Sequence, residues 1–236
     1  MTTEQLELAE SEIAAELLQM ATAEQSIHKP ILDGVVDASL YLAASPRILW
    51  ILKEPWEEFG EGESAGGWSV TKDIIGKGID KDTGTHAIMA YVTYAVFNGY
   101  IGEQEVPYVT ANPEVANSLK HIAYINVSKM PGGKTSDGAF IAQQYQKNQR
   151  ILHKQIETLA PDVIVAGNTM HLFLKDFALQ AEMFTRNGSA SFCKTGGRLY
   201  IDAYHPNQRS FTRQNYVDSI VSIIRSELTP KPQSPA

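Results

Sequence analysis

The chain has one cysteine, Cys193. That scarcity excludes a disulfide framework, a multi-cysteine zinc site and an iron–sulfur cluster on four thiolates. Long apolar runs are missing as well: none approaches the roughly 18 residues that cross a bilayer. No basic segment followed by an apolar one marks the N-terminus for export. A soluble, cytoplasmic protein with no membrane association is therefore expected. Three nucleophile and phosphate signatures are also absent. There is no G-x-S-x-G elbow, no G-x-x-x-x-G-K-[ST] loop, and no G-x-G-x-x-G after a strand. His28, His86, His121, His153 and His171 are scattered without metal-ligand spacing, so neither metal nor cofactor is expected. Positive charge is the last shortage. Twenty Lys and Arg against 27 Asp and Glu leave a net charge of −7, the wrong sign overall for neutralising phosphates.

What is present is enough for a core. A hydrophobic content of 43% over 236 residues supports one α/β-sized domain without disulfides. The charge is uneven, and six acids with no Lys or Arg in residues 1–28 account for six of the seven net negative charges. Beyond them, Lys120, Lys129, Lys134, Lys147, Arg150 and Lys154 are set against one acid, Asp137, in 116–154. Lys194, Arg198, Arg209 and Arg213 are set against Asp202 in 194–213. Local arrangement sets a field, so these stretches read either as one basic face or as ordinary solvated surface.

Residues 3–26 predict a helix with Leu6, Ile13, Leu17 and Leu18 on one stripe. The chain divides into an acidic N-terminal helix at 1–28, a single α/β domain at 29–228 and a disordered tail at 229–236, where three prolines fall. The helix could dock on its own domain, on a second copy or on a protein partner. Strands are expected at 47–52, 121–126, 162–166 and 198–203. Helices are expected at 85–99, 138–159, near 169–180 and at about 212–227, the second of them capped by Ser136-Asp137. A glycine-rich acidic loop runs through Gly60, Gly62, Gly66 and Gly67. Gly132-Gly133 reads as a turn whose amides are able to meet a phosphate. Strands alternating with helices imply a three-layer α/β/α sandwich with a mainly parallel central sheet.

In such sheets ligands bind just beyond the carboxyl ends of the strands. Three of the strands run directly into polar, proline-containing clusters: Lys53-Glu54-Pro55-Trp56, Asn126-Val127-Ser128-Lys129-Met130-Pro131 and His205-Pro206-Asn207-Gln208-Arg209. On parallel strands Glu54, Asn126 and His205 converge on one rim. A carboxylate, an amide and an imidazole do not make a nucleophile triad. They suit a dissociative cleavage in which the carboxylate orients water or offsets charge on a sugar. The amide would read a base edge, and the imidazole would hydrogen-bond the departing anion.

The three clusters, in this order, resemble the uracil-DNA glycosylase superfamily, especially its bacterial and archaeal branches. In that family a first strand leads into a G-[QE]-[DA]-P-[YG] motif, here Leu52-Lys53-Glu54-Pro55-Trp56. A later strand ends in Asn before a basic turn with proline, here Asn126 to Pro131. A P-x-V-I-V-A-x-G strand follows, here Pro161-Asp162-Val163-Ile164-Val165-Ala166-Gly167 with the glycine one position early, and the family closes on H-P-S, here His205-Pro206-Asn207. The resemblance covers roughly 47–225. It implies a uracil-DNA glycosylase-like fold and metal-free excision of uracil or a related damaged pyrimidine from single- or double-stranded DNA. It implies Glu54, Asn126 and His205 as the catalytic set. Trp56 would lie beside the pyrimidine 5-position and Trp68 would stack on the base, with Lys53 and Pro55 completing the substrate contacts. Gln208, Arg209 and Phe211 would enter the minor groove and fill the gap left by the flipped base, and Asn207, Arg213, Lys129 and Lys134 would add DNA contacts. The departures are the missing leading glycine, Lys53 for Gln or Glu, Trp56 for Tyr or Gly, Asn207 for Ser, and the absent iron–sulfur cysteines. Two other readings stay open: an inactive module of the same fold that binds nucleic acid or protein, and an enzyme acting on free nucleosides.

Overall fold

A computed structural model describes residues 1–100, 103–133 and 135–228. Expectations for Lys134 and for the tail at 229–236 therefore lie outside the described residues. In chain order the regular elements are helix α1 (Thr3–Ala23), strand β1 (Gly34–Val35), α2 (Ala38–Ala43), β2 (Ile48–Leu52), a π-helical turn (Val70–Ile75) and α3 (Thr85–Asn98). Then come α4 (Pro113–Asn117), β3 (Ile122–Asn126), α5 (Gly138–Leu159), β4 (Val163–Gly167), α6 (Met170–Phe173), β5 (Thr185–Asn187), β6 (Ala190–Thr195), β7 (Arg198–Ala203) and α7 (Arg213–Leu228).

The seven strands form one sheet in the order β1-β3-β2-β4-β7-β6-β5. β3, β2, β4 and β7 run parallel at its centre, while β1 on one edge and the β5–β6 hairpin on the other are antiparallel. The central strands are buried on both faces, which is why they read as continuous apolar runs. Side chains alternate between two cores. Ile48, Trp50, Leu52, Tyr124, Val165 and Ile201 pack with α3 and α7, whereas Leu49, Ile51, Ile125, Ile164 and Tyr200 pack with α2, α5 and α6. The protein is thus α/β, with helices on both faces of a mixed sheet whose centre is parallel.

Three expectations need correction. The sheet has seven strands rather than four, the additions being two-residue β1 and the polar β5–β6 hairpin, which turns at Gly188 with φ +58°. The helix expected near 169–180 has one regular turn, α6. Beyond it the backbone reverses at Ala178, φ +53°, where Asp176 is drawn to α5 by Tyr145, Gln149 (2.7 Å) and His153 (3.0 Å). Leu18 is not on the buried stripe of α1, being exposed while Leu6, Ile13 and Leu17 are covered.

The position of α1 also resolves the charge pattern. It packs along α5 of its own domain. Glu16 pairs with Arg150 and Lys154, and Glu24 with Lys147. The acidic helix and half of the basic stretch at 116–154 are therefore each other's partners, and that stretch is not one free basic face.

Candidate functional site

Register places the strand ends level. Leu52 pairs with Asn126, Ile51 with Ala166, and Gly167 with Ala203, so the segments leaving β2, β3, β4 and β7 emerge at one rim. Two of these segments continue to pair past the sheet. Val127 N–H donates to Leu52 O (2.9 Å), Ser128 N–H to Lys53 O (2.8 Å) and Gly132 N–H to Pro55 O (2.8 Å), and Glu57 N–H returns to Gly132 O (3.2 Å). The N–H of Gly132 is committed to this ladder and does not face a phosphate. Glycine is required there because a Cβ would lie 2.3 Å from Glu54 Cγ. Gly167 serves the same purpose on the other side. A Cβ there would meet Leu52 Cδ2 at 2.3 Å, with the Cα of His205 at 3.6 Å, so the missing side chain lets the segment after β7 close over β2.

Glu54, Asn126 and His205 are thus brought to the same rim, and each carries a distinct polarity. Burial raises the pKa of Glu54 above the usual carboxylate range, opposed by a hydrogen bond from Ser136 and the charge of Lys53. Its Oε2 is buried without a hydrogen-bond partner among the described residues. Asn126 is 1% exposed. Its backbone N–H donates to Asp33 Oδ2 (2.8 Å), and its Oδ1 accepts from the hydroxyl of Tyr124 (3.0 Å). Burial pushes the Tyr124 phenol upward, so it stays a donor. Asn126 Nδ2 is left buried and without a partner among the described residues.

His205 is held down to about 4, chiefly by burial and further by the charge of Lys53, and is neutral at pH 7. Its Nδ1 accepts the backbone N–H of Asn207 (3.2 Å), which puts the proton of the neutral ring on Nε2. The rim therefore offers an amide donor, an imidazole donor and a basic carboxylate.

The remaining predicted residues separate into those the rim retains and those it does not. Lys53 is half-buried near His205, and Pro55 is buried beneath the loop. Trp56 is 55% exposed, with its backbone bridged to Gly132, so the indole does not block the site. Trp68 is half-buried against the α3 core. Its Nε1–H donates to Glu57 Oε2 (2.7 Å), which also accepts Gly66 N–H. Gln208 folds back on its own loop, with Oε1 accepting from Ser210 and Phe211 N–H and Nε2 donating to Phe211 O. Phe211 lies edge-on to Tyr204 at 5.2 Å, and Asn207 and Arg209 are exposed.

Lys129 is a correction. Its side chain is 1% exposed, and Nζ is held by Asp33 (2.7 and 2.8 Å) and Gln155 Oε1 (2.8 Å). An ammonium fixed inside the protein does not reach a phosphate. Arg213 is a second correction: its guanidinium pairs with Glu103 (2.6 Å) and lies over Tyr91 and Tyr108 at 4.8 and 5.0 Å.

Sequence reasoning passed over His86, Tyr124 and Asp33. The ring of His86, in the first turn of α3, lies 5.8 Å from the Tyr124 ring, and its Nε2 is buried without a partner among the described residues. Its place in a helix start after an exposed loop gives no local signal of a site. Tyr124 is two residues before Asn126 and so shares its face of β3, a signal that alternation does carry. Among the described residues no group of three or more His, Cys, Asp or Glu is placed to hold a metal ion, and no helix is long and apolar enough to cross a membrane. No protein-family model and no curated protein matches the chain.

Proposed function

We propose that the protein is a uracil-DNA glycosylase-like hydrolase that flips uracil, or a related damaged pyrimidine, out of DNA and cleaves its N-glycosidic bond. The observation that carries this reading is the convergence of Glu54, Asn126 and His205 beyond the carboxyl ends of three parallel strands, each with a polar atom directed to no protein partner or free to donate. In this reading Asn126 Nδ2 donates to a base oxygen. As the bond between the sugar C1′ and the base nitrogen breaks, its electron pair passes to the base. His205 Nε2–H hydrogen-bonds the resulting anion, and a neutral imidazole does so without surrendering its proton. Glu54 orients the water that attacks C1′ and receives its proton, a task that its raised pKa favours. Exposed Trp56 and the Phe211–Tyr204 pair flank the rim as surfaces for stacking or wedging.

A second reading, the same cleavage on a free nucleoside, is favoured by one specific finding. Lys129 and Arg213 are paired internally, which leaves fewer cations for a phosphate backbone.

The test is single-turnover cleavage of labelled oligonucleotides carrying uracil in single-stranded, U·A and U·G forms, compared with free deoxyuridine over a range of salt. Abasic-site formation that falls with salt and disappears in Glu54→Gln and His205→Ala supports the DNA enzyme. Salt-independent release from deoxyuridine supports the second reading. A folded protein with no product from any substrate overturns both, leaving a binding module.

A further inference from the structure

We propose that His86 is a specificity-determining contact at this rim, its Nε2 engaging the polar edge of the bound base alongside Asn126. The proposal rests on the base-binding reading above and adds a residue outside the three clusters that define it. Three observations converge. His86 sits on α3, which packs over the face of β3 that carries Tyr124, and its ring is 5.8 Å from the Tyr124 ring. Tyr124 in turn fixes the Asn126 amide through a 3.0 Å hydrogen bond, so His86 adjoins the residue that orients the amide. Finally, its Nε2 is sealed from solvent with no hydrogen-bond partner among the described residues, as is Asn126 Nδ2.

A buried polar atom left unpaired costs free energy unless something supplies its bond. Two such atoms, on His86 and Asn126, flank one phenol. A ligand edge that meets both removes two penalties at once, and a base with the wrong group at that position restores one of them. Such buried polar sites discriminate strongly because the mismatch leaves protein atoms unsatisfied. Burial keeps His86 neutral down to about 4, so it presents an uncharged ring at physiological pH.

Two arms test this on the full chain. In the kinetic arm, His86→Leu raises KM for the uracil oligonucleotide about tenfold and changes kcat far less, whereas His86→Gln, which keeps a polar atom, recovers most of the loss. Unchanged KM in a folded His86→Leu overturns the proposal. In the binding arm, nitrogen-15 imidazole resonances are followed while free uracil, thymine, cytosine and hypoxanthine are titrated in. A shift at His86 Nε2 with at least one base, lost when Asn126 is replaced by Ala, is the expected result. No shift with any base overturns it. Absent excision combined with a His86 shift removes the enzymatic reading while retaining the contact.

Discussion

Asn126 joins two buried polar clusters that differ in completeness. On its backbone side, Asp33 accepts the Asn126 N–H, both contacts from Lys129 Nζ and a 2.8 Å bond from Gln155 Nε2, and Lys129 reaches Gln155 as well. Every charge there has a counterpart. On its side-chain side, Glu54 Oε2, Asn126 Nδ2 and His86 Nε2 are all buried without partners among the described residues. A satisfied network specifies where the chain goes. An unsatisfied one costs stability and is retained where a ligand completes it. The same strand end therefore carries a completed network and an incomplete one, and hydrogen-bond completeness tells them apart better than residue type does. Lysine, usually a surface residue, belongs to the completed one.

Breaking the completed network should produce the largest change. Lys129→Met leaves the Asp33 carboxylate buried and unpaired, and denaturant unfolding should show a loss of about 3–5 kcal/mol. Adding Asp33→Asn should return much of it, because the amide oxygen still accepts a buried N–H and needs no counter-charge. The rim should behave in the opposite way. Glu54→Gln and His205→Ala should each lower excision by about 10²–10³-fold while moving the melting temperature little.

Acid should sharpen the contrast. His86 and His205 are depressed to about 4 in the folded state from an ordinary 6.5. The unfolded chain therefore binds protons first, so their contribution is complete above pH 6.5 and is lost as pH falls towards 4. For His86 that contribution is of order 3 kcal/mol. Replacing His86 with Leu should flatten this part of the pH profile.

Glu10, in the interface between α1 and β1, has the opposite sign. Burial raises it to about 7, although its Oε1 accepts Val35 N–H at 2.8 Å. Its protonated form is the one the fold prefers, so docking of α1 is strongest below pH 4.5 and weakens as pH rises through 7. Glu10→Gln keeps the acceptor and should stabilise the protein at pH 8 by about 1–2 kcal/mol, with no gain at pH 4. Arg209→Ala should have the smallest effect on stability, within about 0.5 kcal/mol, because its side chain is exposed.

The centre of the fold is legible in the sequence because both-face burial writes continuous apolar runs. The strands expected at 47–52, 121–126, 162–166 and 198–203 each match a central parallel strand to within a residue or so at either end. That accuracy is what located Glu54, Asn126 and His205 at one rim. The sheet edges were not legible. β1 is two residues long, and β5 is polar and half-solvated, although Asn187-Gly188 is a hairpin signal in its own right.

At the site, sequence-local reasoning failed wherever the deciding partner is distant. Lys129 resembles any turn lysine until Asp33, 96 residues away, is found against it, and Arg213 resembles a helix-start surface charge until Glu103 closes on it. His86 escaped notice among scattered histidines because only the packing of α3 over β3 brings it against Tyr124.

In the proposed function the rim's uncommitted polar groups, the His205 donor among them, await a base, whereas the paired groups around Asp33 hold the fold. Thermal unfolding of the wild type and of His205→Leu, each with and without saturating free uracil, tests it most directly. The expected result is a variant at least as stable as the wild type in the absence of ligand, with uracil raising the melting temperature of the wild type alone. A variant that melts several degrees earlier, together with a wild type indifferent to uracil, would contradict it and make the rim a second structural anchor.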